Sequence, residues 1–282
     1  MTRSELIKKW LRRLFSSIIF SILLGLALGG LLSVFLIPEP NVTVLTISGP
    51  FLDQDDADDI MSKLQYIRSD SRIKAVVLRI DSPGGSACAI EQIYLDLLRL
   101  RQEKPLVASI GRVAASGGYY ISLASNFIYA EPSSQVGSIG AFVSLPEREV
   151  LDERVGVSGP FKATGRSKRK AVGHLELVRK QFIDAVKLHR GDRLKLTEEE
   201  LSRAEIHLGV EGLRYGLIDE IGTLTAAIEK AASLAGLRNY EVTEFQARSQ
   251  RVSWDLSTSD LEALKAQTGL IPQYYYLYFE PR

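Results

Sequence analysis

The chain has 282 residues, 45% hydrophobic and 24% charged, a globular composition with material for one large core or two small ones. A net charge of +1 offers no electrostatic footprint for nucleic acid, and a single cysteine, Cys88, excludes an intrachain disulfide. Three histidines (His174, His189, His207) without a Cys/His cluster leave little from which to build a metal site, and no cofactor is expected.

The first element is apolar. Leu14 to Pro38 gives 25 residues without a charge, enough for a helix to cross a bilayer with some tilt. Arg3, Lys8, Lys9, Arg12 and Arg13 precede it against one acid, Glu5, and the next charge is Glu39. The positive-inside rule then places residues 1–13 in the cytoplasm and the remainder outside. A cleaved signal peptide fits less well, because the run exceeds a usual h-region and shows no convincing A-x-A site.

Beyond it, apolar β-rich runs alternate with amphipathic ones. Residues 42–48 read as a buried strand and 53–69 as a helix with acids in its first turn, where the helix dipole favours them. A strand at 73–80 leads to the glycine turn "DSPGG", then a helix spans 88–102. A third strand at 105–110 runs into "RVAASGGYYISLA", and 127–130 is a fourth. Near-continuous apolar strands separated by helices indicate βαβ units and a parallel sheet covered on both faces. After 170 the pattern is helical, at 174–190, 197–208, 210–216 and 223–236, with Thr197 and Glu200 forming a capping box. Residues 271–282, "IPQYYYLYFEPR", are aromatic and strand-like.

Two glycine loops follow consecutive strands, and in parallel sheets ligand sites gather at the carboxyl ends of strands. Backbone N–H groups of Gly85 and Gly117 can therefore face one spot beside the Ser116 hydroxyl. That is what acyl transfer requires: a nucleophile, and donors where oxyanion charge develops. Small neighbours let a peptide backbone approach, although each loop alone reads equally as a tight turn. The base is open at this level. His174, His189 and His207 lie far downstream on expected helices, in exposed or core-capping surroundings. Lys162, Lys168 and Lys170 stand in the basic stretch 159–170, where Arg166, Arg169 and Lys170 supply positive charge that favours a neutral amine. A solvated basic loop is the plainer reading of that stretch.

The motifs "RIDSPGG" (79–85), "AASGGYYIS" (114–122), "EPSSQVGSIGAF" (131–142), "TGRSK" (164–168) and "GLRYGLIDEIG" (212–222) resemble those of the signal peptide peptidase A (SppA) family of serine proteases, within the ClpP/crotonase superfamily. The resemblance runs from about Val42 to Ile221. It implies an α/β, ClpP/crotonase-like fold of repeated βαβ units with a helical C-terminal part, here preceded by one transmembrane helix. It implies that Ser116 is the nucleophile, Gly85 and Gly117 the oxyanion donors, Lys168 the general base of a Ser-Lys dyad, and Ser138 the hydroxyl that orients the lysine. Two departures stand out: Asp81 where many members have Asn, and a short basic loop after Lys168.

The expectation is a serine endopeptidase of a prokaryotic cytoplasmic membrane, with basic segment 1–13, anchor 14–38, peptidase domain 39–245 and tail 246–282. Lipid would be met through the anchor. The resemblance implies substrates such as signal-peptide remnants, with small or apolar residues at the cut, and a homo-oligomer. The competing readings are a catalytically silent oligomeric membrane scaffold of the same fold and a crotonase-like acyl-CoA enzyme, for which no CoA-specific feature is present. The aromatic segment 274–279 reads as an edge strand or docking arm, or as a self-inhibitory peptide in the cleft. Cys88 reads as a small helix residue.

Overall fold

A computed structural model describes residues 3–36, 40–145, 158–162, 164–246 and 274–277. The chain divides between Glu39 and Pro40 into two units. The first is a single helix, α1 (Arg3–Leu36), whose window Ser16–Ser33 is long and apolar enough to cross a membrane. At 1.5 Å per residue that window rises about 27 Å, close to the thickness of a hydrocarbon core. The Ser21 and Ser33 hydroxyls donate back to the carbonyls of Ser17 and Gly30, so these polar side chains are satisfied within the helix. The flanking basic side chains lie outside the described residues.

The second unit runs β1 (Pro40–Ser48), α2 (Gln54–Ser69), β2 (Ala75–Ser82), β3 (Gly84–Ser86), α3 (Ala87–Glu103), β4 (Leu106–Ala115), α4 (Gly117–Ser122), β5 (Phe127–Ala130), β6 (Gln135–Gly137) and β7 (Phe142–Val143). Then come α5 (Lys168–Arg190), a 3-10 turn at Gly191–Arg193, α6 (Glu198–Ser202), β8 (Ile206–Leu208) and α7 (Gly209–Tyr215). The last elements are β9 (Glu220–Ile221), α8 (Leu224–Leu234), β10 (Glu241–Gln246) and β11 (Tyr274–Leu277). The main sheet has the order β10-β1-β2-β4-β5-β9, parallel throughout. This is the parallel α/β arrangement that the alternating pattern implies.

Alternation along the strands covers both faces. On β1, Leu45 and Ile47 join the core that takes Ile60 and Leu64 of α2 and Ile90, Ile93 and Leu97 of α3. Val42 and Val44 face the other way, against Ala227 and Ala231 of α8. Period-2 side chains need a layer on each side, and the helices supply both.

The strand that matters most is β4, which forks. Val107–Ile110 pair with β5, whereas Val113–Ala115 pair with β6. Between them the register with β2 slips, from Ile80 opposite Ile110 to Ser82 opposite Ala114. Such a bulge bends a strand and re-aims the residues beyond it. Asp81 holds it: its carboxylate accepts the Val113 N–H at 3.2 Å and lies 3.7 Å from the Arg112 guanidinium. Burial pushes the Asp81 carboxyl up, against the opposing pull of Arg112.

The helical part departs from the periodicity in one place. Residues 197–208 do not form one helix. Thr197 and Glu200 do make the capping box, with Thr197 N–H to the Glu200 carboxylate at 2.8 Å, but α6 ends at Ser202. Ala204 then takes φ 53°, and Ile206–Leu208 pair antiparallel with β6. His207 is thus a strand residue. Lys168 and Lys170, read as loop residues, stand in the first turn of α5 behind the cap Ser167, whose hydroxyl accepts the Lys170 N–H at 3.2 Å.

The far end of α5 is tied to the sheet by a buried ion pair. Arg190, 2% exposed, donates to both oxygens of Asp219 at 2.9 and 3.0 Å and to the Gly216 carbonyl at 2.7 Å. Asp219, within the "GLIDEIG" motif, also accepts the Ile128 N–H of β5 at 2.8 Å. Removing one partner strands a buried charge, so Asp219→Ala is expected to cost about 3–5 kcal/mol in urea unfolding. A loss under about 1 kcal/mol would show that α5 does not depend on this clamp.

Candidate active site

β4 ends at Ala115 and α4 begins at Gly117, leaving Ser116 to make the whole turn. It does so at φ 48° and ψ −116°, a left-handed conformation that costs a serine about 1–3 kcal/mol. Its N–H donates to the Gly137 carbonyl at 2.8 Å and its carbonyl accepts the Tyr120 N–H at 2.9 Å, so the backbone is held on both sides. The side chain is 1% exposed, and its hydroxyl makes only a long 3.4 Å bond to the Gly140 carbonyl. A sharp strand-to-helix turn is how α/β hydrolases present a nucleophile.

Ser138 repeats the geometry one strand over. Ala115 and Gly137 are register partners in β4 and β6, so Ser116 and Ser138 follow at adjacent strand ends. Ser138 has φ 51° and donates its N–H to the Glu205 carbonyl at 2.8 Å. The third positive-φ residue among the described non-glycines is Ala204, next to Glu205, and a Cβ on Gly140 would sit 3.0 Å from it. All three strained residues therefore meet around Gly140, the partner of the Ser116 hydroxyl. Strain gathered at one place marks a site that the surrounding structure is built to hold.

The two glycine loops converge here. A Cβ placed on Gly84, at φ 118°, would lie 2.8 Å from the Gly117 nitrogen, and one on Gly118 would lie 2.2 Å from the Ser82 carbonyl. Gly85 turns its own missing Cβ toward Leu52, 2.1 Å from that carbonyl oxygen. Of the "SPGG" pair, Gly84 is thus the one packed against the Ser116 loop, a role that the sequence reading gave only to its neighbour. A positive φ cannot be read from two adjacent glycines.

An extended strand fills the space between the loops. β11 lies antiparallel to β3 on one side, Tyr276 opposite Gly85, and antiparallel to β7 on the other, Tyr275 opposite Phe142. The Tyr276 carbonyl oxygen is 1.8 Å from the position of a Gly84 Cβ and 3.0 Å from that of a Gly117 Cβ. Only glycines admit a carbonyl there. The rest of the aromatic segment lies outside the described residues.

The candidate bases separate by position. Lys162 and Lys170 are exposed, whereas Lys168 is half-buried on α5, which packs against α4 and β7. The histidines are engaged elsewhere. His174 meets Arg166 at 2.5 Å, His207 packs edge-on against Tyr215 at 5.0 Å, and His189 shares a 2.6 Å hydrogen bond with the Tyr94 hydroxyl. Among the described residues no group of acids, cysteines and histidines could hold a metal ion. Cys88 is exposed on the first turn of α3, bonded through sulfur to Gln92 at 3.4 Å.

Residues 99–238 match the family model "Peptidase family S49", and residues 42–136 match that of "Clp protease". Protease 4 of Salmonella typhi is 33% identical over 229 residues, covering 73% of this chain and 36% of that protein. Protease 4 of Haemophilus influenzae is 31% identical over 221 residues, 71% and 36% of the two chains. This chain belongs to the SppA family of S49 peptidases. The chloroplastic serine protease SPPA of Arabidopsis thaliana is 31% identical over 196 residues, 64% of this chain and 29% of that one. The chain spans about a third of the length of these SppA-family relatives. The Clp match covers β1 through β6, the part of the S49 fold that builds the forked strand and both glycine loops.

His189 also makes a pH prediction. Burial, then the charges of Arg101, Arg190 and Arg193, push its imidazole from 6.5 down to about 4. The unfolded chain therefore takes up the proton first, and this stability is lost as pH falls from about 6.5 to about 4. Urea midpoints at pH 7 and pH 4.5 should differ less in His189→Gln than in the parent; equal differences would contradict the assignment.

Proposed function

We propose that this protein is a membrane-anchored serine endopeptidase that uses a Ser116–Lys168 dyad. Neutral Lys168 takes the proton as the Ser116 oxygen attacks a peptide carbonyl, and the N–H groups of Gly85 and Gly117 stabilise the oxyanion. The Lys168 ammonium returns the proton to the leaving amine, giving an ester on Ser116. Lys168 then deprotonates water, which hydrolyses the ester and frees the serine. Ser138 orients the lysine amine.

The observation that carries this reading is the strained Ser116 turn, set between two glycine loops that hold an extended backbone. Lys168 is favoured by its half-burial beside exposed alternatives, and Ser138 by its place at the adjacent strand end. The α1 helix would anchor the protein in a prokaryotic cytoplasmic membrane. The basic excess before the apolar run argues for the amino end inside and the α/β unit outside. Substrates would be extracytoplasmic or membrane-derived peptides, signal-peptide remnants among them. A homo-oligomer is supported by apolar side chains such as Leu177 and Leu188 standing exposed on α5.

A peptide library tests the dyad. Ser116→Ala and Lys168→Ala should each lower kcat/KM by about 10³-fold or more, and the double variant should be no worse than either single one. Cleavage retained in Ser116→Ala, or losses that multiply in the double variant, would remove these two residues from the chemistry.

A further inference from the structure

The segment in the cleft shows what the cleft accepts. Tyr276 places its carbonyl between Gly84 and Gly117, so in a peptide seated likewise its position would be the acyl side of the scissile bond. Its side chain is fully buried, although it lies on a strand joined to the described sheet by residues 247–273, far from β3 in sequence. The ring stacks on Tyr120 at 5.3 Å and 14°, and meets Phe182 edge-on at 5.2 Å and 72°. At the end of this slot the phenol lies 3.3 Å from the Glu91 carboxylate and 3.3 Å from the Val178 carbonyl.

Each wall comes from a different element. Glu91 is on α3, Tyr120 on α4, and Val178 and Phe182 on α5. The two tyrosines of the "SGGYY" motif divide their work. Tyr119 ties α4 down through a 2.7 Å bond to the Leu217 carbonyl, and Tyr120 supplies the flat wall. The depth fits a six-membered ring, and the polar end is an acceptor pair waiting for a hydroxyl. A small or purely apolar side chain would leave the aromatic walls uncovered and the half-buried Glu91 carboxylate without its partner.

We propose that Glu91, Tyr120, Phe182 and the Val178 carbonyl form a tyrosine-selecting pocket, so that this peptidase takes extended peptides with tyrosine on the acyl side of the cut, its own Tyr276 being the internal occupant. This rests on the reading of Ser116 as nucleophile, and it replaces the small-residue preference implied by the family resemblance. An internal occupant acts at high effective concentration, so it raises the KM of added peptides without changing kcat.

Binding separates the proposal from the chemistry. Fluorescein-labelled extended peptides carrying Tyr, Phe or Ala at the test position would be titrated into full-length Tyr276→Ala, with and without Ser116→Ala. Tyr should bind about tenfold tighter than Phe, one hydrogen bond to a charged group, and about a hundredfold tighter than Ala. In the added background Glu91→Leu the Tyr/Phe ratio should fall to near one. Both peptides are read on one sample, so partial unfolding cancels from the ratio. Equal binding of Ala and Tyr peptides, or a ratio that Glu91→Leu leaves intact, would overturn the pocket. In cleavage assays Tyr276→Ala should lower KM with kcat held, and an unchanged KM would remove Tyr276 as occupant. Tyrosine-selective binding without Ser116-dependent cleavage would sink the catalytic reading alone. Ser116-dependent cleavage after small residues would sink this one alone.

Discussion

Everything at the site depends on the pairing of β4 with β6 beyond the bulge at Gly111–Val113. That pairing sets Ala115 beside Gly137, and the serine after each has no room to continue as strand. Ser116 must turn at once into α4, and Ser138 must turn toward Glu205. The left-handed backbone at both positions is the cost of bringing two hydroxyls to adjacent strand ends, and the buried sheet behind them supplies the stability that tolerates it. Asp81 is part of the same constraint, since its carboxylate satisfies the N–H that the bulge exposes. The acid in place of the family's common Asn therefore has a structural task here.

The glycines follow from the same geometry. Once Ser116 is fixed, the loop after β2 must pass within van der Waals distance of Gly117, and anything larger than hydrogen at Gly84 would collide with its nitrogen. The gap left between the loops is one strand wide. β11 pairs with β3 and β7 on its two edges, so the cleft behaves as an open sheet waiting for a middle strand. Sequence-tolerant backbone pairing then holds a peptide, and the slot between Tyr120 and Phe182 chooses among side chains.

Much of this was legible in the sequence, and the reasons differ by element. The strands β1, β2, β4 and β5 announce themselves as apolar runs because both faces are buried, and α2 and α3 by helical spacing and caps. The importance of Ser116 was visible as a hydroxyl among alanines and glycines. Local pattern failed where distant pairing decides. Ile206–Leu208 continue a helical-looking stretch, yet β6 lies close enough to recruit them as a strand, and Ala204 takes the strain of the switch. Likewise nothing near "SPGG" tells which glycine faces the serine, and nothing near Tyr276 reveals that Glu91, Tyr120 and Phe182 enclose it.

The central claim is that Ser116 is a nucleophile poised beside a strand-shaped cleft. Its most direct test is reaction of full-length Tyr276→Ala with a fluorophosphonate, followed by mapping of the modified residue by mass spectrometry. The account predicts one phosphonyl group on Ser116, with labelling lost in Lys168→Ala and slowed by an added tyrosine-containing peptide. A folded protein that stays unlabelled, or carries the group on another serine, would contradict it.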